Sequence, residues 1–318
     1  MNEPTPTSST YRCGYAAIIG KPNVGKSTLM NSLLKQKISI VTKKAQTTRH
    51  KILGILSTDA YQAIFLDTPG IIEPRYALHE AMMDFAASAI DDADLMLFMV
   101  DVTAGAQDAD PVEREALDRL MVKGKPVYLV LNKIDRVPKA TLLPLIDRYA
   151  KAYPFREIFP VSALTREGTD ALLSAVAADL PEHPALYPAD IVSEHNERFF
   201  VGEIIREKIF ITCKEEIPYS TTVEVVEFAE REMQGGGPSR GRPSAPKWFI
   251  SADIYVERPS QKGILIGKGG LMLKEIGRLA RADIERFLDH RIYLELHVKV
   301  REHWREDKGW LQSRGYRR

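Results

Sequence analysis

Short apolar runs alternate with segments of helical periodicity along the first 180 residues. The apolar runs predict buried strands, which we place at 15–19, 52–56, 63–66, 94–100, 126–131 and 157–161. Apolar residues at helical spacing predict helices at 28–34, 76–90, 111–122, 140–152 and 169–180. Strands that alternate with helices predict an open six-stranded α/β sheet with helices on both faces. Ligands of such sheets bind at the carboxyl ends of the strands, so the residues that follow each strand are candidates for a site.

The pattern changes after this α/β region, which we bound at 14–182. Prolines break the helical spacing and predict a linker at 183–197, followed by a second, α+β domain at 198–318 that ends in a C-terminal helix. Inside the second domain we expect helices at 198–210 and 271–288, strands at 221–228, 247–256 and 291–300, and a Gly-, Pro- and Arg-rich loop at 231–246. Residues 1–13 contain several Pro, Ser and Thr residues and are expected to be a disordered tail.

Charge is distributed unevenly along the chain. The net charge is +1, yet residues 231–318 carry 19 Lys and Arg against 11 Asp and Glu. A basic C-terminal region favours a polyanionic partner, although a solvated basic surface would have the same composition. The two cysteines are too few for a disulfide framework and do not form a CxxC metal motif. The longest apolar run, 95–100, is too short to span a bilayer, and the first residues lack a signal-peptide pattern, so we expect a cytoplasmic protein.

A Gly-x-x-x-x-Gly-Lys-Ser loop lies between the first predicted strand and the first predicted helix. This arrangement binds phosphate, because glycines let backbone N–H groups approach the oxygens and the helix N-terminus adds partial positive charge. We expect Lys26 to contact the β- and γ-phosphates and the Ser27 hydroxyl to bind Mg²⁺. The nucleotide-binding residues predicted here are Gly20, Lys21, Pro22, Asn23, Val24, Gly25, Lys26, Ser27 and Thr28.

A second motif, Asp67-Thr68-Pro69-Gly70, directly follows the strand at 63–66. An aspartate at this strand end can hold Mg²⁺, usually through water, and the Gly70 N–H can contact the γ-phosphate. Alone, this sequence is an ordinary turn, so its assignment depends on the phosphate-binding loop one strand away. We therefore predict that all four residues bind nucleotide, with Asp67 as a magnesium ligand.

Two further segments predict the base that is bound. Asn132, Lys133 and Asp135 follow the strand at 126–131, and Ser162-Ala163-Leu164 follows the strand at 157–161. The Asp135 carboxylate can accept both the N1–H and the 2-amino group of guanine, a donor pair that adenine lacks. An unpaired buried carboxylate would cost roughly 1–3 kcal/mol, which favours GTP over ATP. A P-loop kinase or ATPase is the alternative that this segment opposes.

The second domain carries a Gly-Lys-Gly-Gly turn that follows an aliphatic run and begins a helix. A turn of this kind resembles the GxxG loop of KH domains, in which glycines and helix N–H groups hold the backbone of about four single-stranded nucleotides. The residues predicted to bind RNA are Lys262, Ile266, Gly267, Lys268, Gly269, Gly270 and Lys274. Taken alone, a GxxG turn is a poor signal; the order of elements and the basic charge of the region strengthen it.

The motifs, in this order, resemble the translation-factor-like branch of P-loop GTPases and, with the KH domain, the bacterial Era family. The resemblance extends from about residue 15 to residue 316 and includes the segments 203–208 and 217–220. It implies a P-loop GTPase domain followed by a type II KH domain. It also implies a GTP switch that hydrolyses slowly, binds single-stranded 16S rRNA near its 3′ end and acts in 30S ribosomal subunit biogenesis. Peripheral association with the inner face of the membrane is implied too, and we expect a monomer.

The same resemblance assigns roles around the γ-phosphate. Gln46, Thr47, Thr48, Arg49 and His50 look like the first switch, in which one threonine closes onto Mg²⁺; we favour Thr48, and spacing does not exclude Thr47. Ile71, also a switch residue, stands where Ras-like enzymes carry a water-orienting glutamine, and its aliphatic side chain cannot bond water. Asn23 matches the loop asparagine that helps to bind K⁺ in related potassium-stimulated GTPases. A loop-shaping role is the equal alternative for Asn23.

Two rival interpretations stay open on the sequence alone. Ile71 is also compatible with an RNA-binding scaffold whose nucleotide site is only structural, a hypothesis that multiple turnover would exclude. A tRNA-modification GTPase shares the nucleotide motifs, but the GxxG loop favours recognition of single-stranded RNA without base chemistry. The loop at 231–246 is longer and richer in Gly and Pro than is usual in the family it resembles.

Overall fold

The computed structural model describes residues 11–42, 44–104, 111–230 and 248–316. The chain divides into two compact units between Glu194 and His195. Residues 1–10 of the predicted tail, which we had bounded at 1–13, and the predicted loop at 231–246 lie outside the described residues. Arg12 and Cys13, which we had placed in the tail, instead lie in the first strand, because Cys13 is buried and Arg12 pairs with Tyr61.

The first unit contains the six predicted strands and five predicted helices. The strands are β1 Arg12–Gly20, β2 Ile52–Ser57, β3 Tyr61–Asp67, β4 Leu95–Asp101, β5 Val127–Asn132 and β6 Glu157–Val161. The helices are α1 Lys26–Leu34, α2 Ala77–Asp92, α3 Pro111–Val122, α4 Leu142–Ala152 and α5 Thr169–Asp179. The strands form one sheet in the order β2-β3-β1-β4-β5-β6, in which only β2 is antiparallel to its neighbour. The predicted α/β sheet is therefore confirmed.

Both faces of this sheet are covered. Ala17 and Ile19 of β1 pack in a core with Leu117 of α3 and Leu145 of α4. The intervening Ile18 points to the opposite face and is also fully buried. Strands that are buried on both faces explain why these runs are continuously apolar rather than alternating. The carboxyl ends of β1, β3, β4, β5 and β6 meet at one edge, where the predicted motifs begin.

The predicted linker is held along the edge of the sheet. Gln62 of β3 is fully buried, and its Oε1 accepts the N–H groups of Leu186 and Tyr187 at 2.8 and 3.0 Å. The backbone N–H of Ile55 in β2 donates to the Val192 carbonyl at 2.9 Å. We call residues 186–193 the edge segment. It occupies hydrogen-bonding groups that an edge strand would otherwise expose.

The second unit has the order helix, strand, strand, helix, helix, strand, followed by a short helix. Its helices are α6 Glu197–Thr212, α7 Pro259–Ile266, α8 Leu271–Leu288 and α9 Lys308–Ser313, and its strands are β7 Thr222–Glu230, β8 Trp248–Val256 and β9 Ile292–Val300. In its sheet, β8 is antiparallel to β7 and parallel to β9. This is the topology of the predicted type II KH domain.

One element of this unit was missed. We had predicted no helix for the aliphatic run before the GxxG turn, but this run lies in helix α7. Pro259 begins this helix, where its missing N–H costs nothing, and Gly267 ends it with a φ of 72°. Eight residues that include Gly263 carry too little periodicity to reveal a helix from the sequence. Leu265 is buried in the same core as Ile276 of α8, which fixes the helix by packing.

Candidate functional site

The phosphate-binding loop connects β1 to α1, as predicted. Gly20 and Gly25 have φ values of 153° and 107°, which side chains other than glycine rarely adopt. A Cβ at Gly25 would lie 2.3 Å from the Asn132 amide nitrogen, so the loop depends on glycine there for packing as well. Thr28 follows Ser27 in the first turn of α1 and lines the pocket that the loop borders. The N–H groups at the start of α1 are therefore available to a phosphate.

Lys26 is buried beneath this loop. Its ammonium donates to the carbonyls of Gly20 and Lys21 at 3.0 and 2.9 Å. Burial lowers its pKa to about 8, and the nearby Asp67 carboxylate only partly offsets that effect. A phosphate anion would supply the negative charge that this buried ammonium lacks.

Three oxygen-bearing side chains from distant parts of the chain meet at the start of α1. The Ser27 hydroxyl lies 2.7 Å from Asp67 Oδ2 and 2.9 Å from the Thr48 hydroxyl. Asp67 is fully buried, and within the described residues its Oδ1 has no hydrogen-bond partner of acceptable geometry. Burial raises the pKa of Asp67 despite the opposing effects of Ser27 and Lys26. Hard oxygen donors around a buried carboxylate fit a magnesium ion.

Thr47 points elsewhere. Its hydroxyl lies 2.7 Å from the Thr42 hydroxyl and donates to the Lys44 carbonyl at 2.8 Å. In the same segment, Gln46 Oε1 lies 3.2 Å from Nε2 of His79, and Arg49 is 2% exposed. The His50 ring packs near the Phe85 ring, with 5.9 Å between the ring centroids. Among the six predicted switch residues, Thr48 is the one whose hydroxyl lies beside Ser27, a proposed magnesium ligand, within the described residues.

The turn after β3 lies against the phosphate-binding loop. A Cβ at Gly70 would lie 2.7 Å from the backbone nitrogen of Pro22, so only glycine permits this approach. The Ile71 N–H donates to the Gly20 carbonyl at 3.1 Å, and the Thr68 hydroxyl donates to the Ile18 carbonyl at 2.8 Å. Ile71 packs against the core of the unit with an aliphatic side chain. Pro69, between Thr68 and Gly70, is buried.

The ends of β5 and β6 form the opposite wall. Asn132 donates to the Val24 carbonyl at 2.7 Å and accepts the Ala163 N–H at 2.9 Å, which ties both strand ends to the phosphate-binding loop. The Ser162 hydroxyl donates to Asp135 Oδ1 at 2.6 Å and so orients that carboxylate. Leu164 is 70% exposed at the rim.

Lys133 bridges the two walls. Its ammonium donates to the Asn23 carbonyl at 2.8 Å and lies 2.5 Å from Asp101 Oδ2. Partial burial opposes ionisation of Asp101, but Lys133 and the Thr103 donors outweigh it and hold the pKa of that carboxyl below its usual value.

Residues of the phosphate-binding loop, the first switch, the Gly70 turn and the ends of β5 and β6 line a cavity of about 550 Å³, a size typical of ligand sites. Residues that we did not predict also line it: Ile40, Val41, Thr42 and Arg136. Sequence reasoning missed Asp101 as well, although its position at the carboxyl end of β4 is the signal that identified the other motifs.

The GxxG turn is exposed at the junction of α7 and α8. Gly269 and Gly270 have φ values of 59° and 78°, and no described atom lies within 4 Å of a Cβ built on either. A Cβ at Gly267 would instead lie 2.7 Å from the Met272 Cβ, so this glycine is required by packing. Lys268 and Lys274 are exposed, whereas Lys262 and Ile266 are half-buried.

Comparison with known proteins matches both units. Residues 15–133 match the family described as 50S ribosome-binding GTPase, and residues 216–305 match the KH domain family. The chain is 46% identical over 310 residues to the GTPase Era of Geobacter metallireducens, covering 98% of this chain and 99% of that protein. It is 43% identical over 311 residues to the GTPase Era of Nitratidesulfovibrio vulgaris, and this match covers 96% of this chain and 97% of that protein.

Two solved structures have the same fold over nearly the whole chain. A crystal structure of Era in complex with MgGDPNP and nucleotides 1506–1542 of 16S ribosomal RNA is 40% identical, covers 97% of this chain and 100% of that one, and has a TM-score of 0.88. A variant of Aquifex aeolicus Era bound to GDP and AlF₄⁻ is 40% identical, covers 96% and 100%, and has a TM-score of 0.87. With the nucleotide motifs and the GxxG turn placed as described, this similarity shows that the chain belongs to the Era family of GTPases.

Proposed function

We propose that this GTPase is a nucleotide-dependent switch that binds the single-stranded 3′ end of 16S rRNA through its KH domain and acts in 30S subunit biogenesis. The observation that carries the proposal is that one chain combines a phosphate-binding loop, an Asp135 carboxylate that Ser162 orients at the same pocket, and an exposed GxxG turn. The Era structure that contains both MgGDPNP and 16S rRNA nucleotides supports the same pair of ligands here.

The nucleotide is held from two sides. Asp135, oriented by Ser162, would accept the two guanine donors, while backbone N–H groups of the loop and Lys26 would bind the phosphates. Ser27, Thr48 and Asp67 would hold Mg²⁺, which neutralises charge on the β- and γ-phosphate oxygens. ATP would leave Asp135 unpaired, so we expect GTP to compete with labelled GDP far better than ATP does.

Hydrolysis by this site would be slow without a partner. Ile71 offers water no hydrogen bond, so transition-state charge depends on Lys26, the loop N–H groups and any cation beside the phosphates. We propose that Asn23 supports K⁺ there. The position of Asn23 in the pocket lining supports this assignment, whereas its αL backbone, with a φ of 64°, is what the alternative loop-shaping role predicts. Equal turnover rates in KCl and NaCl would refute it.

GTP would act through the two segments that approach the γ-phosphate. We propose that Thr48 and the Gly70–Ile71 turn become ordered by the γ-phosphate and Mg²⁺, and that hydrolysis releases them. This state would change the affinity of the KH domain for RNA. Equal RNA affinities of the protein bound to GDP and of the protein bound to a non-hydrolysable GTP analogue would contradict the switch.

RNA would be held by its backbone at the GxxG turn. Gly269 and Gly270, which have open space where a Cβ would stand, let phosphates approach the N-terminus of α8, an 18-residue helix. Lys262, Lys268 and Lys274 would add charge, and Ile266 would contact the bases. The basic balance of residues 231–318 is consistent with a polyanionic partner.

The decisive experiment measures GTP turnover with and without an oligonucleotide of the 16S rRNA 3′ end. We expect the RNA to accelerate turnover in the wild type and not in Gly269→Asp. Gly124→Asp is the matched control, because Gly124 also has a positive φ, 65°, and no described atom within 4 Å of a built Cβ. Turnover that ignores the RNA, with RNA binding retained in Gly269→Asp, would overturn the proposal.

We propose that the protein works as a monomer in the cytoplasm and makes peripheral contact with the inner face of the membrane. Among the described residues, no helix has the length and apolar character needed to cross a bilayer. Sedimentation at micromolar concentration tests the monomer. Co-flotation with anionic vesicles, compared with neutral ones, tests the membrane contact.

A further inference from the structure

The Lys133 ammonium joins three parts of the nucleotide site. It bonds the Asn23 carbonyl of the phosphate-binding loop at 2.8 Å and lies 2.5 Å from Asp101 Oδ2 at the end of β4. Lys133, with a φ of 72°, also precedes the short helical turn Ile134–Arg136 that contains Asp135; we call residues 133–136 the base-recognition turn. The position of one side chain therefore depends on contacts with both the loop and β4.

Contacts other than the Lys133 ammonium also orient the Asp101 carboxylate. Its Oδ1 accepts the N–H and the hydroxyl of Thr103 at 2.9 and 2.7 Å, which leaves Oδ2 directed at Lys133. Both members of the pair have side chains only 23% exposed, so water screens them less than it would screen a surface pair. Oriented by its own turn, Asp101 can fix the rotamer of Lys133.

We propose that Asp101 is a positioning residue for the guanine nucleotide: through Lys133 it holds the base-recognition turn against the phosphate-binding loop and slows nucleotide release. Without the carboxylate, the Lys133 side chain gains rotamers and its bond to the Asn23 carbonyl weakens. GDP and GTP share the base and the first two phosphates, so both should be affected alike. Asp101 is not among the residues that we propose to contact the γ-phosphate, so kcat should change little. The inference rests on the GTPase site and not on the proposed RNA partner.

A double-mutant cycle with Asp101→Asn and Lys133→Met tests this proposal. We expect Asp101→Asn to release fluorescent GDP about tenfold faster and to raise KM for GTP by a similar factor, with kcat within about twofold of wild type. Because Asp101 acts through Lys133, the double variant should release GDP no faster than Lys133→Met alone. Asp147→Asn, an exposed carboxylate paired on α4, is the control and should behave as wild type.

Two results would overturn the positioning role. One is wild-type GDP release from Asp101→Asn. The other is additive effects in the cycle, accompanied by a lower melting temperature of the nucleotide-free protein, which would show that Asp101 only supports the fold. If the wild type itself bound no guanine nucleotide, the assignment of the nucleotide site would be wrong. That result is distinguishable from the two results above, in which the wild type binds GDP.

A separate observation concerns the edge segment, residues 186–193. The hairpin β2–β3 connects the two segments proposed to contact the γ-phosphate, since Thr48 precedes β2 and Gly70 follows β3. The edge segment bonds both strands of this hairpin. Ser193 donates to the Leu53 carbonyl at 2.6 Å in β2, and the buried Gln62 of β3 bonds the backbone at Tyr187.

The contacts of Gln62 are extensive for one side chain. Its Oε1 accepts two backbone N–H groups of the edge segment, and its Nε2 donates to the Tyr187 carbonyl at 2.8 Å and to the Ser57 hydroxyl at 2.9 Å. The Tyr187 hydroxyl also bonds Glu194 and lies 3.3 Å from the Tyr15 hydroxyl. The next residue after Glu194 begins the second unit.

We infer that the edge segment transmits the nucleotide state from the β2–β3 hairpin to the start of the KH unit. This deepens the proposed switch by naming its route. A hydrogen-bonded hairpin moves as one body, so a shift at Thr48 or Gly70 would carry the attached segment with it. By thermodynamic reciprocity, RNA binding would alter GTP affinity through the same contacts.

The test compares the RNA affinity of the GDP-bound protein with that of the protein bound to a non-hydrolysable GTP analogue. We expect Ser193→Ala and Tyr187→Phe each to reduce the ratio of the two affinities at least about threefold, while nucleotide affinities stay near wild type. Ser174→Ala is the matched control, because its hydroxyl also bonds a backbone carbonyl, that of Asp170, but on α5. Wild-type ratios in both variants would overturn the route. A ratio of one in the wild type would overturn the switch itself.

Discussion

The Thr48 hydroxyl lies 2.9 Å from the Ser27 hydroxyl, although 21 residues separate them in the chain. Ser27 is fixed in the first turn of α1, whereas Thr48 lies in an irregular segment before β2. The neighbouring Thr47 instead bonds Thr42 and Lys44. These distances support Thr48 rather than Thr47 as the proposed magnesium ligand, an alternative that sequence spacing left open.

Thr48→Ala should lower the GTP hydrolysis rate on the order of tenfold or more, because one oxygen beside Ser27 is lost where charge must be neutralised. GDP affinity should change little, since the residue acts at the γ-phosphate. Thr47→Ala serves as the neighbour control and should retain most activity. Single-turnover hydrolysis at varied Mg²⁺ measures both. A larger loss of hydrolysis rate in Thr47→Ala than in Thr48→Ala would make Thr47 the magnesium ligand instead.

Ser162→Ala should weaken GTP binding about fivefold, because Asp135 loses a donor worth about 1 kcal/mol and its carboxylate is no longer oriented. The preference for GTP over ATP should fall with it. Competition of each nucleotide against fluorescent GDP gives both affinities. Ser174→Ala removes an exposed hydroxyl of α5 and should leave them unchanged. An unaltered preference in Ser162→Ala would show that Asp135 holds its position without this bond.

Lys268→Ala should weaken RNA binding at all sequences alike and should lower the salt-dependence slope by about one unit, because it removes one phosphate contact. Its side chain is exposed at the GxxG turn, so stability should not change. Binding titrations between low and moderate salt measure the slope. Lys123→Ala, which removes a lysine paired with Asp91 in the other unit, should leave it unchanged. An unchanged slope in Lys268→Ala would place the RNA backbone elsewhere.

Asp179 links stability to pH. Arg156 and the Tyr128 hydroxyl hold its pKa below the usual value. The folded pKa therefore lies below the unfolded value of about 3.9, so the ionised carboxylate stabilises the fold above that value. This contribution is lost as the pH falls through the folded pKa.

Asp179→Asn should therefore lower the free energy of unfolding by a constant amount between about pH 5 and pH 7, and by progressively less below about pH 4. Urea titrations of the wild type and the variant across this range give the difference. Asp147→Asn, which alters an exposed i,i+4 pair on α4, should show a smaller effect. A difference between wild type and Asp179→Asn that grows on acidification would contradict the assignment.

Sequence reasoning was most successful where local chemistry is strong. The long apolar strands and the motifs at their carboxyl ends fixed the α/β sheet, because a buried parallel strand must be apolar and its end must face the ligand edge. It missed α7, whose eight residues show little helical periodicity, and it did not single out Asp101, whose position at the end of β4 was the available signal. It also predicted a linker at 183–197 without the hydrogen bonds that attach residues 186–193 to the sheet. The hydrogen bonds of the buried Gln62 with Leu186, of Ile55 with Val192 and of Ser193 with Leu53 show that this segment is attached.

The sequence by itself determined the elements, the order of the two units and the residue types around the phosphates, because periodicity, glycine turns and charge act over a few neighbouring residues. Tertiary structure alone decided which side chains meet. The contacts of Thr48 with Ser27 and of Asp101 with Lys133 join residues that are 21 and 32 positions apart. Such contacts depend on strand order and packing, which set distances that no local pattern encodes.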